Sequence, residues 1–364
     1  MTSARNPFGP GGVLLEGTPE APVLALAPME GISDAIVRDL LGALGAMDLS
    51  VTEFIRVAHR PVPARVLLRE CPELENDGHT PSGVPVLVQL LGGEPCFVAK
   101  SAQRAAELGA AGVDLNFGCP AKRVNGSDGG ASLLREPSRL TEVIGETRAA
   151  VPGHLPVSAK IRLGWEDPDD VVGIVEAAEA GGAAWITIHG RTKKQMYKPT
   201  ADWGRIRRAA DAVSVPVVAN GDIFDPASFD ACRDVTGCGA YMLGRGAFRA
   251  PNLFRRIAKL DADFWPPERC ADLLHQFAER VLRDSRFADP ERVALNRIKG
   301  WVRALSETYD VMAVAFETLK RAQKLEDALA ILRASVAAPP PPRSVLAPVR
   351  TPRSTATARS APAP

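Results

Sequence analysis

The segment GVDLNFGCPAKRVNGSDGG, residues 112–130, begins as a short buried strand and continues into a loop rich in glycine and cations. Its apolar, β-branched start predicts a strand that ends at Asn116, and the glycine and proline that follow stop the pairing. Cys119 therefore follows the tip of a strand, where a parallel barrel carries its chemistry. A lone cysteine is more often a buried structural residue, but the cationic loop beside this one suits a phosphorylated partner.

The pattern of this strand recurs on both sides of it. Eight short apolar strands are predicted in all, at residues 23–27, 49–54, 85–90, 113–116, 157–162, 184–188, 215–219 and 239–243. Helical stretches separate most of them, one capped by Ser33 or Asp34 and others at 98–108, 137–149, 169–180, 203–213 and 226–234. Continuous apolar strands that alternate with helices over about 230 residues predict an α/β fold, the (β/α)8 TIM barrel. A doubly wound open sheet is the alternative, but no G-x-G-x-x-G follows the first strand.

Four stretches of different character divide the chain. We expect a flexible leader over 1–22, the barrel over 23–251, and a small C-terminal helical bundle over 252–336, where strand signals stop. Residues 337–364 contain eight prolines and four arginines, which predicts a disordered tail.

Composition excludes several classes of protein. The 364 residues carry a net charge of +1, no apolar run is long enough to span a membrane, and the N-terminus lacks the apolar core of a secretory signal. The six cysteines are scattered and show no metal-ligand spacing, so we predict no metal site. Free thiols fit a cytoplasmic, reducing location, and nothing in the sequence implies a stable protein partner, so we expect a monomer.

Polar residues stand at the carboxyl end of every predicted strand. They are Pro28-Met29-Glu30, Glu53 with Arg56, Gln89, Asn116 with Cys119, Lys160 with Arg162, His189-Gly190-Arg191, Asn220-Gly221-Asp222 and Gly244-Arg245-Gly246. Eight polar ends in register predict one site. The glycines after the last two strands let the backbone approach a phosphate, and Arg245 supplies a charge for it, so a phosphate-bearing cofactor is expected.

An ordered run of motifs resembles the flavin-dependent tRNA-dihydrouridine synthases over residues 23–335. The motifs are PMEGISD, TEFIRV, VQLLGGEP, GVDLNFGCPAKRVNGSDGGASLL, SAKIRLGW, IHGRT, VANGDI and GRGA. The glutamate of PMEG, together with TEFIRV, is most similar to the C-type bacterial branch, which is associated with uridine 16 of the tRNA D-loop. The choice of uridine rests on that branch resemblance alone.

The resemblance implies roles for individual residues. Flavin mononucleotide (FMN) would be bound by Pro28, Met29, Glu30, Gln89, Lys160, His189, Asn220, Gly221, Asp222, Gly244 and Arg245. Cys119 would be the catalytic proton donor, and the tRNA would be contacted by Arg56, Asn116, Arg286, Arg292, Arg297 and Lys299. NADPH would be the reductant. The helical domain would help to bind tRNA, and its segment 280–303 has seven cations and three acids, a net charge of +4, although a solvated helix face is the alternative reading.

Three other functions remain open from the sequence. A flavin-dependent dehydrogenase of a small pyrimidine, of the dihydroorotate type, would share the barrel but has no need of a basic helical domain. An aldolase that forms a Schiff base on Lys160 would bind no flavin. A non-enzymatic RNA-binding protein on the same barrel would have no use for Cys119.

Overall fold

The computed structural model of the protein describes residues 8, 17, 21–121, 129–198 and 200–337. Within them lie nine strand segments: β1 Val23–Leu26, β2 Leu49–Val51, β3 Ile55–Arg56, β4 Val86–Leu91, β5 Val113–Asn116, β6 Val157–Arg162, β7 Ile186–His189, β8 Val217–Asn220 and β9 Ala240–Leu243. The helices that follow the strands are α1 Ala35–Ala43, α2 Ala64–Glu70, α3 Pro95–Glu107, α4 Pro137–Ala150, α5 Val171–Ala180, α6 Trp203–Ala210, α7 Pro226–Thr236 and α8 Arg245–Arg249. Short 3-10 helices cover Pro72–Asn76, Gly130–Arg135 and Pro168–Asp170.

The strands form a closed parallel barrel, so the predicted (β/α)8 architecture is confirmed. The hydrogen-bonded order is β2-β1-β9-β8-β7-β6-β5-β4, and the pairing of β2 with β4 closes the ring. Every pairing between strands of the barrel is parallel. All carboxyl ends therefore meet at one end of the barrel, which is the condition for a shared site.

The second strand differs from its prediction. A single strand over 49–54 was expected, but the structure has β2 and β3 with a break between them. Val51 pairs with Leu87 and Ile55 with Leu90, so four steps along this strand match three along β4. The extra residue is a bulge, and bulges turn side chains out of the ladder.

Local signals explain where helices begin. The Asp34 carboxylate accepts a hydrogen bond from the Val37 amide at the start of α1, as the sequence predicted. At α7, Asp225 and Ser228 form a reciprocal capping box, Pro226 occupies the first turn, and Gly237 ends the helix in the left-handed conformation.

The barrel interior changes character along its axis. Its lower part is mostly apolar and includes Val23, Leu49, Leu87, Val218 and Ala240. Interior positions nearer the carboxyl ends are polar instead: Gln89, Asn116, Lys160, His189 and Asn220. Side chains in a strand point alternately to its two faces, so these polar groups replace a layer of core.

Helices follow the last strand, as expected. They are α9 Leu253–Ile257, α10 Pro267–Arg283, α11 Pro290–Leu305, α12 Asp310–Leu319 and α13 Leu325–Ala337. Helix α12 had not been predicted. Helix α1 of the barrel is joined to this group by two ion pairs, Asp39 with Arg280 at 2.5 Å and Asp34 with Arg297. No helix in the described part of the chain is both long and apolar enough to cross a membrane.

Two of the predicted stretches fall mostly outside the described residues. These are the leader over 1–22 and the tail over 337–364, and most of the cationic loop after Cys119 (122–128) also lies outside them. The division into a domain over 23–251 and another over 252–336 stays a prediction.

Candidate active site

A cavity of about 460 Å³ opens at the carboxyl ends of the strands. Its lining includes every residue predicted to bind the cofactor, namely Pro28, Met29, Glu30, Gln89, Lys160, His189, Asn220, Gly221, Asp222, Gly244 and Arg245. Asn116 and Cys119 line the same cavity. The structure therefore brings these residues together from β1, β4, β5, β6, β7, β8 and β9 or from the loops that follow them. Their individual roles stay predictions.

The loop that carries Cys119 is held from two sides. The Asn116 side-chain oxygen accepts hydrogen bonds from the backbone N–H groups of Gly118 and Cys119, each at 2.9 Å. From β6, the Arg162 Nε donates to the Gly118 carbonyl oxygen at 2.8 Å. The glycine of this turn is thus fixed at both its amide and its carbonyl, which sets the position of the neighbouring thiol.

The environment of Cys119 favours the protonated thiol. Burial raises its pKa, and the nearby Glu30 raises it further, whereas a backbone hydrogen bond with Ala121 and the charge of Arg162 oppose the shift. A thiol that keeps its proton at neutral pH can act as a proton donor. It is correspondingly a weak nucleophile, because the thiolate is the reactive form.

Lys160 places a cation in the wall of the cavity. Its Nζ donates to the Asn220 Oδ1 at 3.2 Å. Burial lowers its pKa to about 8, Arg162 lowers it as well, and the Asp114 carboxylate opposes both. The side chain is therefore still protonated at pH 7.

His189 lines the same cavity as Lys160 but is neutral at pH 7. Burial lowers its pKa well below 6.5, and the positive charges of Arg162 and Lys160 lower it further. Its Nδ1 is buried and has no hydrogen-bond partner within the described residues. A buried polar atom in a cavity wall calls for a partner, so the position fits a bound group with a donor or an acceptor.

The loops after β8 and β9 approach each other closely. Gly221 has φ of 128°, and a Cβ on Gly246 would lie 2.3 Å from the Ile223 carbonyl oxygen. Only glycine allows this conformation and this contact. Gly221, Gly244 and Arg245 line the cavity at this end, where a barrel commonly binds a phosphate, and the short α8 begins there.

Asp222 lines the cavity, but its carboxylate is engaged within the protein. Oδ2 accepts from Arg191 at 2.5 Å and from the Ala201 amide at 2.8 Å, while Oδ1 accepts from Arg245 at 3.0 Å. A carboxylate repels a phosphate directly, yet here it orients two arginines. A supporting role beside the predicted phosphate site fits these contacts better than direct contact.

Ten further residues line the cavity that had been given no individual role in binding or catalysis. They are Ala27, Ile32, Phe54, Gly118, Pro120, Arg162, Tyr197, Ile223, Phe224 and Met242. Arg162 had been noticed at a strand end, and its register with His189 could have placed it there. Phe54 reaches the cavity through the bulge, and Tyr197 comes from a loop, where no periodicity gives a signal.

The residues predicted to contact tRNA are more dispersed. Arg56, in β3, is not part of the cavity lining. Three of the others bond within the protein: Arg286 with Asp284, Arg297 with Asp34, and Lys299 with the Ala322 carbonyl oxygen at 2.6 Å. Arg292 is exposed on α11. Contact with tRNA therefore remains a prediction for all of them.

Comparison with known proteins decides the family. A profile described as dihydrouridine synthase (Dus) matches residues 25–335. The chain belongs to the dihydrouridine synthase family. Enzymes of this family are flavin-dependent oxidoreductases, and the resemblance inferred from the motifs is confirmed.

Several curated relatives in this family share one name, tRNA-dihydrouridine(16) synthase. The protein of Pasteurella multocida is 45% identical over 296 residues, covering 81% of this chain and 93% of its own. That of Vibrio vulnificus is 43% identical over 302 residues, covering 83% and 93%. That of Escherichia coli is 43% identical over 296 residues, covering 81% and 92%.

Solved structures support the fold alone. A 2-naphthoyl-CoA reductase complex superposes with a TM-score of 0.53 at 11% identity, covering 71% of this chain and 52% of that chain. Histamine dehydrogenase from Rhizobium sp. 4-9 gives 0.52 at 12% identity, covering 70% and 48%. The dihydrouridine synthase chain thus spans about half the length of either.

Proposed function

We propose that this protein reduces uridine 16 in the D-loop of tRNA to 5,6-dihydrouridine, with FMN as cofactor and NADPH as reductant. The observation that carries the proposal is the placement of the Cys119 thiol in the same cavity as Lys160 and the two glycine-containing loops after β8 and β9. The shared name of the relatives supports the choice of tRNA and of position 16.

The residues of the cavity fit a flavin mononucleotide. The volume of about 460 Å³ suits a cofactor of that class. Gly221, Gly244 and Arg245 would hold the phosphate, because they line the cavity together and combine glycine backbone with a positive charge. The buried Nδ1 of His189 and the cation of Lys160 would meet polar atoms of the ring system.

In the proposed reaction, the protein itself supplies the proton that is added to the base. When bound, reduced flavin supplies the hydride that is added to carbon 6 of the uracil ring. The Cys119 Sγ–H would give its proton to carbon 5, so that one hydride and one proton saturate the C5–C6 bond. The raised pKa of this thiol keeps the proton available until that step.

Orientation and charge would come from the neighbours of Cys119. Hydride addition develops negative charge on the uracil carbonyl, and the protonated Lys160 in the cavity wall would stabilise it. The amide of Asn116 would bind the edge of the uracil, as the sequence motif predicts. Lysine and amide groups fixed by the protein need little reorganisation at the moment of reaction.

The substrate must be brought into the barrel. A uridine stacked inside the tRNA cannot reach a cavity at the strand ends, so the base would be flipped out of its stack. Recognition would rest on the shape of the tRNA and on its phosphates more than on its sequence. A tRNA substrate implies a cytoplasmic location.

The test is an anaerobic single-turnover experiment. The flavin of the purified protein is reduced, unmodified tRNA transcript is added, and the return of flavin absorbance is followed while dihydrouridine is mapped in the product. Reoxidation with one modified uridine at position 16 is expected. With Cys119→Ala the tRNA-dependent rate should fall by roughly 10²- to 10⁴-fold, while reduction of the flavin by NADPH is retained.

Three results would contradict the proposal. Reoxidation by orotate or by free uracil, but not by tRNA, would favour a dehydrogenase of small pyrimidines. Undiminished activity of Cys119→Ala would overturn the proton-donor assignment. Protein that binds no flavin after reconstitution would overturn the cofactor.

A further inference from the structure

Asp114 is a buried carboxylate beneath the candidate active site that has no part in the chemistry proposed above. It lies on β5 two residues before Asn116, so both side chains point to the barrel interior. Its side chain is almost inaccessible, with 1% exposure, and it is not part of the active-site cavity lining. A buried carboxylate is costly unless its oxygens accept hydrogen bonds.

A chain of hydrogen bonds leads from Asp114 to the Cys119 loop. Asp114 Oδ2 accepts from Gln89 Nε2 at 2.6 Å, and its Oδ1 accepts from Ser158 Oγ at 2.6 Å. Gln89 Oε1 then accepts from Asn116 Nδ2 at 2.8 Å. Asn116 Oδ1 accepts from the backbone N–H groups of Gly118 and Cys119.

The Asp114 carboxylate at one end of this chain and the backbone N–H groups at the other each determine which way the Gln89 and Asn116 amides are turned, and the two requirements agree. An ionised carboxylate only accepts, so Gln89 must turn its NH2 group toward Asp114. Its oxygen then faces Asn116, which must turn its own NH2 group toward Gln89. The Asn116 oxygen is left facing two backbone N–H groups, which only donate. Reversing either amide would set donor against donor or acceptor against acceptor.

This orientation has two consequences at the cavity. Gln89 and Asn116 both line it, and each amide nitrogen keeps one further N–H beyond the bond described. The loop of Cys119 receives two of its hydrogen bonds from Asn116. The placement of the thiol therefore depends on the same chain as the direction of the N–H groups that Gln89 and Asn116 turn toward the cavity.

We propose that Asp114 is a positioning residue, whose buried carboxylate fixes the orientation of the Gln89 and Asn116 amides and thereby holds the Cys119 loop in place for proton transfer. The catalytic part of this inference rests on the function proposed above. The structural part, that Asp114 immobilises the Cys119 loop, does not.

The charges around Asp114 agree with this role. Burial raises its pKa to about 6, and bonds with Ser158 and Gln89, together with the charge of Lys160, limit the rise. At pH 7 the group is therefore ionised and acts as an acceptor only. Protonation would add a donor and remove the strict orientation.

Alkylation of individual cysteines tests whether Asp114 holds the loop. None of the six cysteines, all of which lie in the described residues, forms a disulfide; Cys119 and Cys96 are half-buried, and Cys71 and Cys232 are buried. Flavin-loaded protein is treated with iodoacetamide, and each site is quantified by peptide mass spectrometry at equal flavin content. In Asp114→Ala, alkylation of Cys119 should accelerate about tenfold, with no change at the other three.

Control variants separate the chain from the carboxylate's other contacts. Ser158→Ala removes the second bond of Asp114 but leaves the chain intact, so Cys119 should react within about twofold of wild type. Asp114→Asn keeps an acceptor oxygen but adds a donor, as protonation would, so it should protect Cys119 less well than aspartate does and better than alanine does. If Asp114→Ala does not fold, Gln89→Leu breaks the chain one bond later and should expose Cys119 in the same way.

The half-reactions supply the functional readout. In Asp114→Ala, reoxidation of the flavin by tRNA should slow by roughly 10- to 100-fold, because small misplacements of a reacting group have effects of that size. Reduction by NADPH should change far less. Unchanged Cys119 alkylation in Asp114→Ala and Gln89→Leu, or a parallel rise at Cys71 and Cys232, would overturn the proposal. If wild-type protein did not reduce tRNA, the proposed function would fail, while the alkylation comparison would still test Asp114.

Discussion

Lys160 is a cation at an interior position of a barrel strand, where it has lost most of its water. Burial and Arg162 both lower its pKa, to about 8, and Asp114 limits the fall. Cys119, in contrast, has its pKa raised by burial. Of these two groups, therefore, only Lys160 changes its charge just above neutral pH, and the two can be told apart by titration.

We expect the rate of flavin reoxidation by tRNA to fall as the pH rises through about 8, because Lys160 then loses the charge that stabilises the developing anion. Single-turnover rates measured between pH 6.5 and 9.5 would show this fall as the alkaline limb of the pH–rate profile. In Lys160→Arg the guanidinium stays protonated, so the limb should move above pH ~9. A limb that stays at pH 8 in that variant would assign it to another group.

Sequence reasoning found most of this site for a specific physical reason. Lysine and histidine at the ends of apolar strands, as at positions 160 and 189, break a strong pattern and are visible without a structure. Tyr197 lies in a loop and gave no such signal. Asp114 also interrupts an apolar strand, but its side-chain partners are on other strands, which only the barrel register brings together, so its role could not be inferred from the sequence.

Helix α11 contains one arginine that is paired within the protein and another that is exposed to solvent. Arg297 is 15% exposed, pairs with Asp34, and donates to the Ile32 carbonyl oxygen at 2.5 Å. Arg292 lies in the first turn of the helix and is exposed. The sequence pattern is the same for both, because the partner of Arg297 is more than two hundred residues away in the chain. Only the packing of α11 on the first loop of the barrel distinguishes them.

We predict that Arg297→Ala lowers the stability of the protein, whereas Arg292→Ala weakens its binding of tRNA. Loss of Arg297 leaves the Asp34 carboxylate without its cation and should lower the free energy of unfolding by about 1–3 kcal/mol. Loss of Arg292 should leave stability within about 0.5 kcal/mol and weaken tRNA binding instead. Thermal unfolding and tRNA binding are measured on both variants. Equal loss of tRNA affinity in two equally stable variants would show that Arg297 acts at the surface.

The molecule as a whole has almost no net charge, so tRNA can be attracted only by local patches. The overall charge is +1, but residues 280–303 carry +4. Several cations of this segment are already paired within the protein, as Arg280 is with Asp39 and Arg286 with Asp284. The number of cations available to bind phosphates is therefore smaller than the seven that this segment contains. The salt dependence of binding measures that number directly.

Binding of tRNA should weaken steeply with salt, while binding of the flavin should not. Three of the seven cations in this segment, Arg292, Lys299 and Arg303, form no ion pair within the described residues. Three phosphate contacts predict a slope of about −2 to −3 in log K against log salt, and a roughly 20- to 40-fold loss of affinity between 50 and 200 mM. The flavin cavity is partly enclosed at the strand ends, where screening is weaker, so its affinity should change only a few-fold. Filter binding or fluorescence titration over this range gives both slopes. A linear single-stranded RNA of equal length is the control and should bind more weakly at every salt concentration, because it lacks the folded shape. A slope near zero, or equal affinity for the linear RNA, would show that the C-terminal helices do not bind tRNA through its phosphates and shape.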